Sequence, residues 1–209
     1  MTYLRLFSVL LAVPLLLSLG CQSNSDTGKT SVQLKVSLNE AVKRYTGYLT
    51  SEDFVGAAAF ILPEVAKEMG GVARVVQFFK NTYDSYPTKS FIIHLADLQV
   101  TKTSPIVKVK NKLGAVIHTK TPVVYKALAA EVFSSMIAIS TDDGESWYFL
   151  EGTDEGRILL TELHIDLMQK LQPPTPYMKL GEDTLYQQNG SWARKTPKDT
   201  FGGWKKVTP

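Results

Sequence analysis

Four side chains within apolar segments have the chemistry of general acid–base catalysis: Tyr48, His94, Asp97 and His118. A phenol, an imidazole or a carboxylate can hold or deliver a proton near neutral pH when an apolar pocket shifts its pKa. Successive side chains alternate between the two faces of a strand, so His94 and Asp97 cannot both point inward from a regular strand over 91–100. Either one can accompany Tyr48 and His118 in a pocket. The alternative is that each His is a hydrogen-bonded residue of an ordinary core.

The positions of His and Cys do not predict a metal site. His94, His118 and His164 lie far apart in the chain, and Cys21 is the only cysteine. Structural zinc sites use pairs of His or Cys ligands that lie a few residues apart. The chain also has no P-loop, dinucleotide fingerprint or G-x-S-x-G motif. We therefore expect neither a metal nor a cofactor.

One short segment matches a known pattern. Residues 140–147, STDDGESW, fit S-x-D-x-G-x-S-W, which resembles the aspartate box of sialidases and other β-propellers. A propeller needs at least four blades and repeats its box, whereas this chain has one copy and no internal repeat. We interpret the segment as a hairpin turn, in which Asp142 or Asp143 accepts hydrogen bonds from turn amides and Gly144 supplies a positive φ. It lacks the spaced oxygen ligands of a calcium loop.

Lysines recur along another predicted strand. Lys108, Lys110 and Lys112 alternate within residues 106–112 and would share one face. Such a ribbon can contact phosphate, but lysines on an edge strand also oppose aggregation between sheets, and we favour the second interpretation. The formal net charge of +3 is close to neutral, and nucleic-acid binders usually carry a concentrated basic footprint. No nucleic-acid partner is expected.

The elements that must position these side chains change type along the chain. Ser37 and Glu40 form a capping box that predicts a helix start, and apolar residues then recur at helical spacing up to Pro87. Five segments rich in β-branched and aromatic residues follow. They are residues 91–100, 106–112, 115–125, 131–140 and 146–152. This order predicts an α+β fold with helices on one face of an antiparallel sheet.

This order of elements, with PEVAKEMGG between helices and a DG turn before WYF, is similar to the nuclear-transport-factor-2-like superfamily over residues 37–152. The resemblance implies a cone, in which a curved sheet wraps around N-terminal helices and encloses a pocket. Enzymes of this superfamily place a few polar groups in the pocket, as the carboxylate base, Tyr and protonated Asp of ketosteroid isomerases show. Many relatives dimerise through the open sheet face, which implies a possible homodimer.

Residues 153–209 are predicted to form a C-terminal extension with a helix over 157–171 and a hairpin at Asn189-Gly190.

The N-terminus predicts where the protein resides. Residues 6–19 form an apolar run that is shorter than the roughly 20 residues of a membrane span and is typical of a signal peptide. The run ends in LLLSLGC, which resembles the bacterial lipoprotein signal, with Gly20 before the lipidated Cys21. We expect a signal peptide over 1–20. The alternative is an ordinary secretory signal beside a coincidental cysteine.

The residues after the lipid site refine this prediction. Gln22 stands where an Asp tends to retain Gram-negative lipoproteins at the inner membrane, so the resemblance favours the outer membrane if the source is Gram-negative. The polar residues that follow predict a flexible tether over 21–36. The membrane, reached through the N-terminal lipid, is therefore a predicted partner.

These observations predict a lipid-anchored envelope protein that binds a small apolar ligand or a protein partner without catalysis. The main alternative is a small hydrolase, isomerase or lyase that uses an acid–base pair in the cone pocket. A structural envelope protein that dimerises through its sheet is the third hypothesis.

Overall fold

A computed structural model describes residues 29–85, 91–188, 191–195 and 204–206, so the predicted signal peptide, Cys21 and the Asn189-Gly190 turn lie outside the described residues. Four helices precede the first described strand, and a fifth lies between two strands. They are α1 (Ser31–Thr50), α2 (Phe54–Ala58), α3 (Pro63–Glu68), α4 (Val72–Ser85) and α5 (Asp154–Leu171).

Helix α1 begins earlier than predicted. Thr30 is its N-cap: the Thr30 hydroxyl accepts from the Gln33 amide at 3.3 Å, and the Gln33 side chain accepts from the Thr30 amide at 2.8 Å. This capping box replaces the predicted box at Ser37, whose hydroxyl bonds the Leu34 carbonyl instead. The prediction of a tether as far as residue 36 is therefore wrong for 31–36, which are helical.

The described strands form one antiparallel sheet. They are β1 (Phe91–Ile93), β2 (Gln99–Thr103), β3 (Val107–Val109), β4 (Lys112–Tyr125), β5 (Leu128–Ser140), β6 (Tyr148–Glu151), β7 (Tyr177–Leu180), β8 (Asp183–Gln188), β9 (Ser191–Lys195) and β10 (Trp204–Lys206). The order is β1-β4-β5-β7-β8-β9-β10, with β2 and β3 also beside β4 and with β6 beside β5. Strands β7 to β10 continue this sheet, so the predicted C-terminal extension is part of the same body.

The sheet is strongly curled. The ring centroids of Phe91 on β1 and Trp192 on β9 lie 6.4 Å apart, although β4, β5, β7 and β8 separate these strands in the sheet. Contact across that many strands requires the sheet to bend into a half-barrel. The predicted α+β class and the curved antiparallel sheet are confirmed.

Helices cover both faces of the sheet, whereas the sequence predicted one face. Leu113, Ala115 and Ile117 of β4 pack with residues of α1, α2 and α4, and we call this concave side the inner face. The intervening residues point to the outer face, where Gly114 meets Leu167 of α5. The prediction that helices lie on one face of the sheet is wrong, because Leu160 and its neighbours on α5 form an apolar stripe that must also be buried.

Candidate functional site

The segment 91–100 is not one regular strand. Strand β1 ends at Ile93, a 3₁₀ turn spans Leu95–Asp97, and β2 begins at Gln99. The strand alternation that we expected to separate His94 from Asp97 therefore does not apply, and both residues are exposed. The His94 amide donates to the Pro122 carbonyl at 3.2 Å, so this residue holds the turn against β4 through its backbone.

Tyr48 and His118 lie on opposite sides of the sheet. Tyr48 belongs to α1, on the inner side, and its ring lies 6.0 Å from the ring of Phe60. His118 follows the inward-facing Ile117 on β4 and so points to the outer face, half-exposed. With His94 and Asp97 exposed, the four predicted catalytic candidates do not converge on one pocket.

A depression of about 190 Å³ lies beside His118 on the outer face. We call it the His118 depression. Its walls include Lys102, His118, Phe133, Pro174, Thr175 and Tyr177. They come from β2, β4, β5, β7 and the segment after α5, so the site depends on long-range pairing.

A β-bulge positions the two basic side chains. The register between β2 and β4 shifts between Val100 and Lys102, which pairs Lys102 with His118 and places both on the outer face. The hydroxyl of the extra residue, Thr101, donates to the His118 carbonyl at 3.3 Å. Burial, and then the nearby Lys102 charge, lower the pKa of His118 below its ordinary value of 6.5. Its imidazole is therefore mostly neutral at pH 7.

Aromatic rings form the opposite wall of the depression. Phe133 and Tyr177, paired across β5 and β7, stack with 4.8 Å between ring centroids and an interplanar angle of 7°. The ammonium of Lys179 lies 5.3 Å from the centroid of the Phe133 ring. The Phe133 ring is thus already engaged by protein groups.

The described lining of the depression is basic, aromatic and hydroxyl-bearing. None of the described residues that line it is Asp or Glu, so His118 has no carboxylate partner there with which to share a proton. Drug-sized ligands occupy pockets of roughly 300–1,000 Å³, so this smaller volume suits a ligand of few atoms. The site offers one ammonium and one imidazole, whereas the hydroxyls of Thr119 and Ser134 bond each other.

The structure also contains a buried histidine. His164 is 6% exposed and lies where α5 kinks, with φ −143° and ψ 49°. Its Nδ1 lies 2.9 Å from Nζ of Lys112, and its Nε2 has no hydrogen-bond partner among the described residues. The spacing of His164 from Leu160 and Leu167 places the three residues on one helical face, and this pattern in the sequence could have predicted that His164 is buried.

The predicted turn at residues 140–147 is confirmed. It joins β5 to β6, Gly144 has φ 81°, and the Asp142 carboxylate accepts from the Ser140 hydroxyl at 2.8 Å and the Ser146 amide at 2.9 Å. Burial raises the pKa of Asp142, but these hydrogen bonds outweigh it and leave the pKa below its usual value. At the end of the turn, the Trp147 indole donates to the Ser37 hydroxyl of α1 at 3.1 Å.

The three lysines of the predicted ribbon do not share one strand. Lys108 lies on β3, Lys110 has φ 55° in the turn, and Lys112 begins β4. Lys108 pairs with Asp143 at 3.0 Å, and Lys110 pairs with Asp166 at 2.9 Å. These ion pairs neutralise two of the lysine charges that a phosphate-binding ribbon would need.

Comparison with known protein families, with curated proteins and with solved structures found no match for this chain. Within the described ranges, no group of three or more His, Cys, Asp and Glu residues is arranged to hold a metal ion. No helix among the described residues is long and apolar enough to span a membrane.

Proposed function

We propose that this chain is a lipid-anchored protein of the cell envelope whose role is non-catalytic binding of a small ligand. The anchoring rests on the apolar run over 6–19 followed by Gly20 and Cys21, and Gln22 favours the outer membrane of a Gram-negative source. This pattern resembles the bacterial lipoprotein signal, and the resemblance is what supports a lipid anchor.

The observation that carries the binding role is the composition of the His118 depression. It brings together Lys102, His118 and two aromatic rings from separate strands, and no described residue of its lining is acidic. General acid–base catalysis needs a proton donor and acceptor within hydrogen-bond reach of a substrate. The depression holds its imidazole beside a fixed positive charge, which favours holding an anion.

Two features bear on the proposed nuclear-transport-factor-2-like ancestry. The curled antiparallel sheet and the helices on its inner face support it. Packed rings, including Tyr45 and Phe149 with centroids 4.7 Å apart, occupy the inner face where the resemblance places a pocket. We therefore propose that the ligand binds on the outer face and that the superfamily's inner pocket is filled by side chains in this chain.

The lipid-anchor proposal is tested by intact mass measurement of the chain purified from bacterial membranes. We expect a protein that begins at Cys21 and carries a lipid adduct, and a Cys21→Ser variant that lacks the adduct and leaves the membrane fraction. A wild-type chain cleaved elsewhere and carrying no adduct would mean an ordinary secretory signal. A dimer mass without bound ligand would instead favour the structural, homodimeric hypothesis.

A further inference from the structure

The outer face around His118 has uncompensated positive charge. Glu131 lies on the same face of β5 as Phe133, but its carboxylate pairs with Lys120 at 2.9 Å. Neither Lys102 nor the imidazole of His118 has an ion-pair partner among the described residues. Because the Lys102 ammonium lies opposite the imidazole across paired strands, an anion between them would offset the Lys102 charge and favour the protonated imidazole.

The aromatic wall adds to this preference. The face of an aromatic ring carries negative charge and its edge carries positive charge. Tyr177 stacks on one face of the Phe133 ring, and the Lys179 ammonium lies 5.3 Å from the ring centroid. A sugar that stacked on Phe133 would compete with these groups. The wall therefore favours an anion over a neutral carbohydrate.

Charge and size narrow the ligand further. The lowered pKa leaves His118 neutral at pH 7, so Lys102 is the one charged residue among those that line the depression, while the imidazole can donate a hydrogen bond. One charge and one neutral donor suit a carboxylate better than a phosphate dianion. The volume of about 190 Å³ holds a small acid, and Pro174 offers apolar surface for its carbon skeleton.

We propose that the His118 depression binds a small organic monocarboxylate, with its carboxylate between Lys102 and His118 and its apolar part against Pro174 and the edges of Phe133 and Tyr177. This inference rests on the proposed binding function and adds to it a site and a ligand class. The bulge at Thr101 is what makes the site, since without it Lys102 would not lie opposite His118.

The test uses the full chain in detergent and benzoate as the probe. Benzoate is titrated while the imidazole signals of His118 are followed by NMR. We expect a saturable shift of those signals and a rise in the pKa of His118 on binding, because a nearby carboxylate favours the charged imidazole. Lys102→Gln should weaken benzoate binding about tenfold or more, since it removes a charge-assisted hydrogen bond.

The control variant is Lys126→Gln, which removes an exposed lysine in the turn between β4 and β5 and should leave benzoate affinity unchanged. A missing saturable shift, or equal affinity in Lys102→Gln and wild type, overturns the proposal. If phosphate binds more tightly than benzoate, the proposal that the ligand is a carboxylate is overturned. Lipid attachment is measured separately. A chain that carries the lipid but does not bind benzoate would therefore overturn the carboxylate proposal and leave the lipid-anchor proposal standing.

Discussion

The ammonium of Lys112 lies 2.9 Å from Nδ1 of His164, so two basic residues meet inside the fold, at the kink of α5. A lysine ammonium can only donate, so Nδ1 must accept and His164 must be neutral. Burial, and then the Lys112 charge, lower the pKa of His164, while Glu64 and Asp166 act in the opposite direction. The contact joins the start of β4 to the outer helix.

This contact predicts that the protein loses stability in mild acid. The pKa of His164 is lower in the folded chain than its ordinary value of 6.5, so the unfolded chain takes up a proton first as pH falls. The stability that the neutral His164 gives the folded chain is fully present above about pH 7. It is lost as pH falls below 6.5 toward the folded-state pKa. Urea unfolding at several pH values should show a slope of up to about 1.4 kcal/mol per pH unit from this group.

His164→Gln keeps an acceptor for Lys112 but does not titrate, so its unfolding free energy should depend less on pH in that window. His118 also has a lowered pKa, and His118→Gln should remove a separate share of the slope. An unchanged slope in His164→Gln would show that His164 is not held neutral.

A second prediction concerns the hydrogen bond between Trp147 and Ser37. Trp147 is 3% exposed and ties the β5–β6 turn to α1. Trp147→Phe removes the indole donor and some buried volume, and should lower the free energy of unfolding by about 1–3 kcal/mol. The measurement is urea unfolding of Trp147→Phe, Ser37→Ala and the double variant. If the hydrogen bond between Trp147 and Ser37 stabilises the fold, the double variant will lose less free energy of unfolding than the sum of the losses in the two single variants.

The turn at residues 140–147 provides a third prediction. Asp142 accepts two hydrogen bonds within the turn, whereas the neighbouring Asp143 pairs with Lys108 at the surface. Asp142→Ala should lower the free energy of unfolding by about 1–3 kcal/mol. The control Asp143→Asn, which keeps a side chain that tolerates the φ of 53° at this position, should lower it by less than about 1 kcal/mol. Thermal unfolding with and without calcium provides the measurement. Stabilisation by calcium that depends on Asp142 would contradict a purely structural turn.

The position of α5 on the outer face can be tested with a pair of glycines. A Cβ at Gly114 would lie 3.0 Å from Cδ1 of both Leu167 and Leu171, whereas a Cβ at Gly47 would meet nothing within 4 Å. Gly114→Val should therefore lower the free energy of unfolding by about 1–3 kcal/mol, while Gly47→Ala in helix α1 should raise it by about 0.5–1 kcal/mol. Equal effects in thermal unfolding would mean that α5 does not pack on β4.

Local patterns predicted much of this fold. Pro63 marked the start of α3, the DG at Asp143-Gly144 marked the β5–β6 turn, and leucines such as Leu160 marked α5. These signals lie within a few residues of the feature they specify. The curl of the sheet is different, because it depends on contacts such as Phe91 with Trp192 that no local pattern encodes.

The candidate site was only partly predictable. His118 was a candidate from its place on an apolar strand, but Lys102 was not, because only the bulge at Thr101 brings it opposite His118. His94 and Asp97 were misjudged because Leu95–Asp97 turns without the Gly or Pro that usually marks a break in a strand. A bulge and a short 3₁₀ turn both change which side chains meet, and neither has a clear sequence signal here.

Native mass spectrometry of the gently purified full chain tests most directly whether the protein binds a small ligand at the His118 depression. We expect wild type to carry a small acidic molecule that is released on denaturation and is absent from Lys102→Gln. A ligand-free wild type, or a ligand that both forms retain equally, would contradict it.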